Sequence, residues 1–208
     1  MKKVFIVLFI LISSLSFGQE KKIAFGFKAG GNISKYIGNS LTDYKGSFGF
    51  YLGGFSKFNI TKRFKIQAEI LYGLQGSKEL TGEVEFRGTI EQEPIIINVE
   101  RKTTESTFIT PIVGQFYLTE NLYLEAGPQV GLIINSKSII TNVPSELLDI
   151  SEIKVNYDSF DFGVTIGMGF NLINNIGINT RYYFGLIERY NINNIRSSVW
   201  NLGIEYKF

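Results

Sequence analysis

The 208 residues contain no cysteine and no histidine, and the two absences remove a large share of familiar chemistry. Without cysteine there is no disulfide framework and no thiol nucleophile. Without either residue there is no Cys/His zinc site, and no His-based catalytic triad. Proline is scarce, at 4 residues, and no Pro-rich or Gly/Ser-rich linker interrupts the chain, so one domain is expected. No apolar run approaches the about 20 residues that a spanning helix requires. An excess of one charge sign is also missing. With Lys2 and Lys3 set aside as part of a leader, 19 of the 21 basic residues remain, against 19 acidic ones. A neutral chain carries no electrostatic footprint for nucleic acid.

The N-terminus has the layout of an export signal. Lys2 and Lys3 precede the unbroken apolar run Val4 to Leu11, and Ser13, Ser14, Ser16 and Gly18 follow as small residues. This pattern predicts a signal peptide over residues 1–18, cleaved near Gly18–Gln19, and a mature domain over 19–208.

The chain is rich in aromatic residues and glycine, with 18 Phe, 11 Tyr and 22 Gly. Without a helical period, that composition fits an all-β chain. Alternation with period two recurs in segments of about ten residues. Near the end, Trp200, Leu202, Ile204, Tyr206 and Phe208 share a face with Ser198, opposite Asn201, Gly203, Glu205 and Lys207. Phe160 to Leu172 alternates in the same way with Asp161, Gly163, Thr165, Gly167 and Gly169. Further segments begin at Phe64, Leu122 and Ile176, and weaker ones cover about 24–35, 47–58 and 106–118. Eight strands result.

Connections alternate in length. Asn59–Lys62, Thr119–Asn121 and Ile173–Asn175 are tight turns, whereas polar stretches at about 36–46, 78–105, 137–157 and 190–196 are long. An even strand count, short turns at one end and long loops at the other describe an outer-membrane barrel. A soluble sandwich would turn its apolar face inward instead. Backbone groups in lipid must all be paired, which demands a closed sheet. The sequence therefore predicts an eight-stranded antiparallel up-and-down transmembrane β-barrel with aromatic girdles.

Several stretches resemble the PorT-like family of outer-membrane β-barrel proteins. They are Gly26-Phe27-Lys28-Ala29-Gly30-Gly31-Asn32-Ile33-Ser34 and Gln67-Ala68-Glu69-Ile70-Leu71-Tyr72, then Pro111-Ile112-Val113 leading to Phe116-Tyr117-Leu118. The most specific is Leu122-Tyr123-Leu124-Glu125-Ala126-Gly127-Pro128-Gln129-Val130-Gly131. Asp161-Phe162-Gly163, Arg181-Tyr182 and Leu202-Gly203-Ile204-Glu205-Tyr206-Lys207-Phe208 complete the match. The resemblance implies a small barrel of the outer membrane. The last strand, with Trp200, Leu202, Ile204, Tyr206 and Phe208, is similar to the β-signal read by the barrel assembly machinery.

Seven charges fall on the inward face: Lys28, Lys65, Glu69, Glu125, Asp161, Arg181 and Glu205. They line either a selective pore or a salt-bridged plug. An eight-stranded barrel is just wide enough for side chains to fill, and unpaired buried charges are costly, so mutual pairing is expected. Glu69 and Glu125 are candidates for paired acid/base catalysts, but no nucleophile, base or open cleft accompanies them. Gly167-Met168-Gly169 lies inside a strand with no helix start after it, which rules out a phosphate loop.

The acidic stretch 78–105, with the apolar patch Pro94-Ile95-Ile96-Ile97, reads as a hairpin raised above the membrane or as a partner surface. Leu147, Leu148 and Ile150 in 137–157 suggest a short helix capping the barrel mouth. The expectation is a monomeric, non-enzymatic scaffold without cofactor or metal. Its partners are outer-membrane lipid, the assembly machinery and envelope proteins met through the loops. A narrow transport barrel for a small or hydrophobic solute, and an accessory component of a secretion apparatus, are the rival functions.

Overall fold

The alternating segments form eight strands: β1 (Ile23–Ile37), β2 (Asp43–Asn59), β3 (Phe64–Phe86), β4 (Ile95–Tyr117), β5 (Leu122–Thr141), β6 (Phe160–Asn171), β7 (Ile176–Gly185) and β8 (Arg196–Lys207). The computed structural model describes residues 23–38, 43–86, 95–141, 159–189 and 195–208, with backbone alone at 81–86, 95–99 and 141. Residues 1–18 and the segment with Leu147, Leu148 and Ile150 lie outside this set. Each strand pairs antiparallel with the next, and β8 pairs with β1 from Gly26↔Lys207 to Ile37↔Arg196. The sheet is a closed ring.

Burial follows the pleat, with the apolar face outside. Ile70 is 69% exposed and Leu202 65%, whereas Gln67, Glu69 and Arg181 are 4% exposed or less. That distribution excludes a soluble sandwich, because such a large exposed apolar surface needs a lipid or protein neighbour. Aromatic pairs mark the two ends of the outer band. Phe208 meets Phe27 and Tyr206 edge-on, at 5.3 and 5.6 Å between ring centroids. Six residues back along β8, roughly 20 Å at strand rise, Trp200 meets Tyr182 at 6.1 Å. Ser198 keeps its outward position, but the Tyr182 hydroxyl covers it through a 2.9 Å hydrogen bond.

Two short turns are set by their threonines. The Thr61 hydroxyl accepts from the Phe64 amide at 2.9 Å, and Thr119 accepts from Leu122 at 3.0 Å. Side-chain acceptors of this kind mimic a backbone turn and reverse the chain within a few residues. At the same end, the Asn175 amide donates to the Lys207 carbonyl at 2.7 Å.

The other end matches the sequence expectation only in part. In 78–105 the raised hairpin is present, with β3 reaching Phe86 and β4 beginning at Ile95, whereas 36–46 and 137–157 had the polarity of loops, yet β1 reaches Ile37, β2 begins at Asp43 and β5 runs to Thr141. β2 pairs with β3 only as far as Leu80, and β6 pairs with β5 only as far as Leu132. Among the described residues, β3, β4 and β5 thus continue as a three-stranded wall beyond the ring. A register shift at Ser106/Thr107 leaves both Ile134 and Asn135 exposed, so that Ser136 and Ser138 turn inward. Polar strands of this kind escape a search for apolar alternation because neither face is lipid-facing.

Inside, small residues clear space for large ones. A Cβ at Gly203 would collide with the Tyr51 hydroxyl, and one at Gly169 with the Tyr123 ring. Because Leu202 sits outward on β8, Leu202→Arg is expected to lose about 2–4 kcal/mol against Leu202→Ala, the range for a cation at the bilayer midplane. Reversible urea unfolding in phospholipid vesicles measures it, and equal stability of the two variants would contradict the orientation.

Candidate functional site: a charged layer across the lumen

Inward positions from seven strands meet at one level of the ring. β1 supplies Lys28, β2 Lys57, β3 Gln67 and Glu69, β4 Gln115, β5 Tyr123 and Glu125, β7 Arg181 and β8 Glu205, all buried. β6 supplies Gly167, paired with Glu125 on one side and Arg181 on the other. A Cβ there would come within 3.1 Å of the Glu125 carboxylate and closer still to the Thr180 carbonyl. Glycine on this strand makes room for the ion pair beside it.

Arg181 is the hub. Its Nη1 and Nη2 donate to both oxygens of Glu69 at 2.9 Å each, and its Nε donates to Glu125 at 2.8 Å. The planar fork matches a carboxylate in this two-bond geometry, which a lysine lacks. Lys28 adds a 3.2 Å contact to Glu69. Lys57 pairs with Glu205 at 3.0 Å, and the Tyr123 hydroxyl donates to the same oxygen at 3.1 Å. Gln67 and Gln115 knit the pairs together: Gln67 donates to Glu69 at 2.7 Å, and Gln115 donates to Gln67 and to Glu125 at 3.1 and 3.0 Å. Three cations face three carboxylates, so the layer is neutral and heavily hydrogen-bonded.

Above the charges lies an apolar layer of Tyr51, Leu71 and Ile109. The cavity between the layers holds about 10 Å³, at or below the ~10–15 Å³ that one water requires. Higher still, Arg189 and Glu105 form a buried pair at 2.6 Å.

Of the seven charges expected inside, Lys28, Glu69, Glu125, Arg181 and Glu205 come together in this layer. Asp161 is buried nearer the wide-loop end, beside Gly185. Lys65 is half-buried at the short-turn mouth, its Nζ 4.1 Å from the centre of the Tyr117 ring, a cation–π contact. Sequence reasoning missed Lys57, Glu105 and Arg189. Lys57 follows the inward positions Tyr51, Gly53 and Phe55, but Phe48, Phe50 and Phe58 on the opposite face of β2 blur its alternation. Glu105 lies in a stretch whose polarity resembled a loop. Glu69 and Glu125 have side chains with 0% exposure, so no substrate reaches either carboxylate. Among the described residues, no group of acidic side chains has the spacing to hold a metal.

Residues 17–191 match the sequence model of the outer membrane protein beta-barrel domain. The chain belongs to that family. It is an outer-membrane barrel, and its exposed apolar band faces lipid. Among solved structures it is similar to Ail, the attachment invasion locus protein of Yersinia pestis, at 14% identity over 89% of this chain and 98% of that one, with a TM-score of 0.45. Neisserial surface protein A is 15% identical over 88% and 97% of the two chains, with a TM-score of 0.48. OprG from Pseudomonas aeruginosa is 12% identical over 89% and 94%, with a TM-score of 0.37. None of the curated proteins matches this outer-membrane barrel in sequence.

Removing one member of a buried ion network leaves its partners charged and unpaired. Arg181→Met is expected to cost about 3–5 kcal/mol of stability. The double variant Arg181→Met, Glu125→Gln should recover most of that loss, because Lys28–Glu69 and Lys57–Glu205 stay paired and no orphaned charge remains. Urea midpoints in vesicles compare the two, and a double variant as weak as the single one would mean that packing, not charge pairing, holds the layer.

Proposed function

We propose that the protein is a non-enzymatic scaffold of the outer membrane, with a sealed lumen and a projecting β-wall that meets envelope or extracellular partners. The charged layer carries the sealed lumen. Its six ionised groups neutralise one another at side-chain exposures of 5% or less, and an apolar layer closes the space above. A conducting pore needs charges that face water and exchange partners with a passing ion; here they face each other. The wall of β3, β4 and β5 rises from a rigid ring, which suits recognition by loops held on a fixed frame.

Biogenesis follows from the ends of the chain. Residues 1–18 act as a cleaved export signal. The strand carrying Trp200, Leu202, Ile204, Tyr206 and Phe208 serves as the signal to the barrel assembly machinery. Its outward apolar side chains, exposed at 47–65%, support that role. PorT-like membership in the narrower sense belongs to this proposal too, resting on the Tyr123-Leu124-Glu125-Ala126-Gly127-Pro128-Gln129 stretch.

Planar bilayers test the seal. Wild-type protein should give no steady single-channel current, and steps that shift on Arg181→Ala would replace the scaffold with a narrow transporter. Topology has a clean assay because the chain has no cysteine background. Lys45→Cys, exposed at the wall end of β2, should react with a membrane-impermeant maleimide on intact cells. Lys62→Cys, exposed in the β2–β3 turn, should react only after the outer membrane is permeabilised; the reverse order would invert the barrel.

A further inference from the structure

The short-turn mouth contains a cavity that the sealed layer does not use. It holds about 60 Å³ and is lined by residues from seven of the eight strands and from the β6–β7 turn. Its polar lining includes Lys57, Lys65 and Lys207 with Asn59, Asn171, Asn174 and Asn175, the last already donating to the Lys207 carbonyl. Among the described residues lining it, the single carboxylate is Glu205. That carboxylate is already engaged by Lys57 at 3.0 Å, Tyr123 at 3.1 Å and Gln67 at 3.3 Å. Among the described residues Lys65 makes no ion pair; its ammonium rests on the Tyr117 ring, 4.1 Å from the centroid. Glu120, exposed in the β4–β5 turn, does not line the cavity.

We propose that this mouth is a binding site for a phosphate-class oxyanion presented from the periplasmic side. A lysine held against an aromatic ring and facing a cavity keeps N–H donors on its open side for a ligand, and lysine binds phosphate as a point charge. Asparagine side chains around the rim add neutral N–H donors. The volume is about four times or more that needed for one water, enough for one oxyanion group and too small for the body of a larger molecule. The anion is therefore either free phosphate or the phosphate of a lipid or solute whose remainder stays outside. The neutral charged layer beneath ends the path, so the ligand docks and does not pass through. The site stands apart from the scaffold role, since an open or closed lumen leaves the mouth unchanged.

Isothermal titration of the folded, detergent-solubilised protein with inorganic phosphate, at ionic strength matched with sodium chloride, tests the site. Saturable one-to-one binding is expected. Lys65→Gln should weaken it at least about fivefold, the effect of removing one charge about 4 Å from the anion even at the dielectric of water. Lys65→Arg should retain it, and Lys45→Gln, at the far end of the barrel, should leave it unchanged. Heat-modifiable gel migration checks that each variant is folded; should Lys65→Gln fail that check, Asn174→Ala in the exposed turn carries the test with a smaller loss. Competition by vesicles containing phosphatidylglycerol, beside solubilised phosphatidylcholine controls, separates the sources. Displacement of inorganic phosphate assigns a lipid headgroup, and no displacement assigns a soluble phosphate. No saturable heat with the wild type, or equal weakening by Lys45→Gln and Lys65→Gln, overturns the site.

Discussion

Each peptide group of a strand in hydrocarbon must find its partner in a neighbouring strand, because lipid offers none and an unpaired group costs several kcal/mol. In this protein the last of those partners comes from β8, whose pairing with β1 leaves the ring without an edge. The remaining features follow from that closure. The outer face must be apolar at alternate positions, the strands must reverse at tight turns, and whatever points inward must fit a cylinder of fixed width.

Fixed width decides what fills the centre. Eight strands leave space for side chains and little else, so tyrosines on β2, β5 and β7 sit opposite glycines on neighbouring or facing strands. Gly203 accommodates Tyr51, Gly169 accommodates Tyr123 and Gly163 accommodates Tyr183. The charges obey the same geometry. A buried ion pair has to offset a large desolvation penalty and does so only with good geometry and further hydrogen bonds. The fork of Arg181 and the two glutamines that bridge neighbouring carboxylates supply both. A neutral layer is the outcome, in which every charged member is engaged by another.

The two ends of the barrel then diverge. At the turn end the chain reverses within a few residues, and lysines and asparagines surround an opening above a layer that is already neutral. At the other end β3, β4 and β5 leave the ring and pair among themselves, with Lys78 to Glu100 at 3.3 Å and Arg101 to Glu79 at 3.6 Å as partly exposed contacts across the β3–β4 pair. Exposed pairs of this kind add little stability. The wall depends on its backbone ladder, and its side chains remain free to differ without harm to the ring.

Strand number, the inside-out sense of the sheet and the inward set Lys28, Glu69, Glu125, Arg181 and Glu205 were legible in the sequence. Each depends on a two-residue period, and a period is a local property. The raised β3–β4 hairpin was legible in the stretch 78–105, but the extension of β5 was hidden because a strand outside both lipid and core carries no apolar alternation. Lys57 was hidden by aromatic residues on both faces of β2. The sequence by itself determined which side chains face oil and which face inward. Only the closed ring decided which inward groups touch: Glu69 and Arg181, 112 positions apart, meet because the stagger of strands around a cylinder sets their common height, and no local pattern encodes that height.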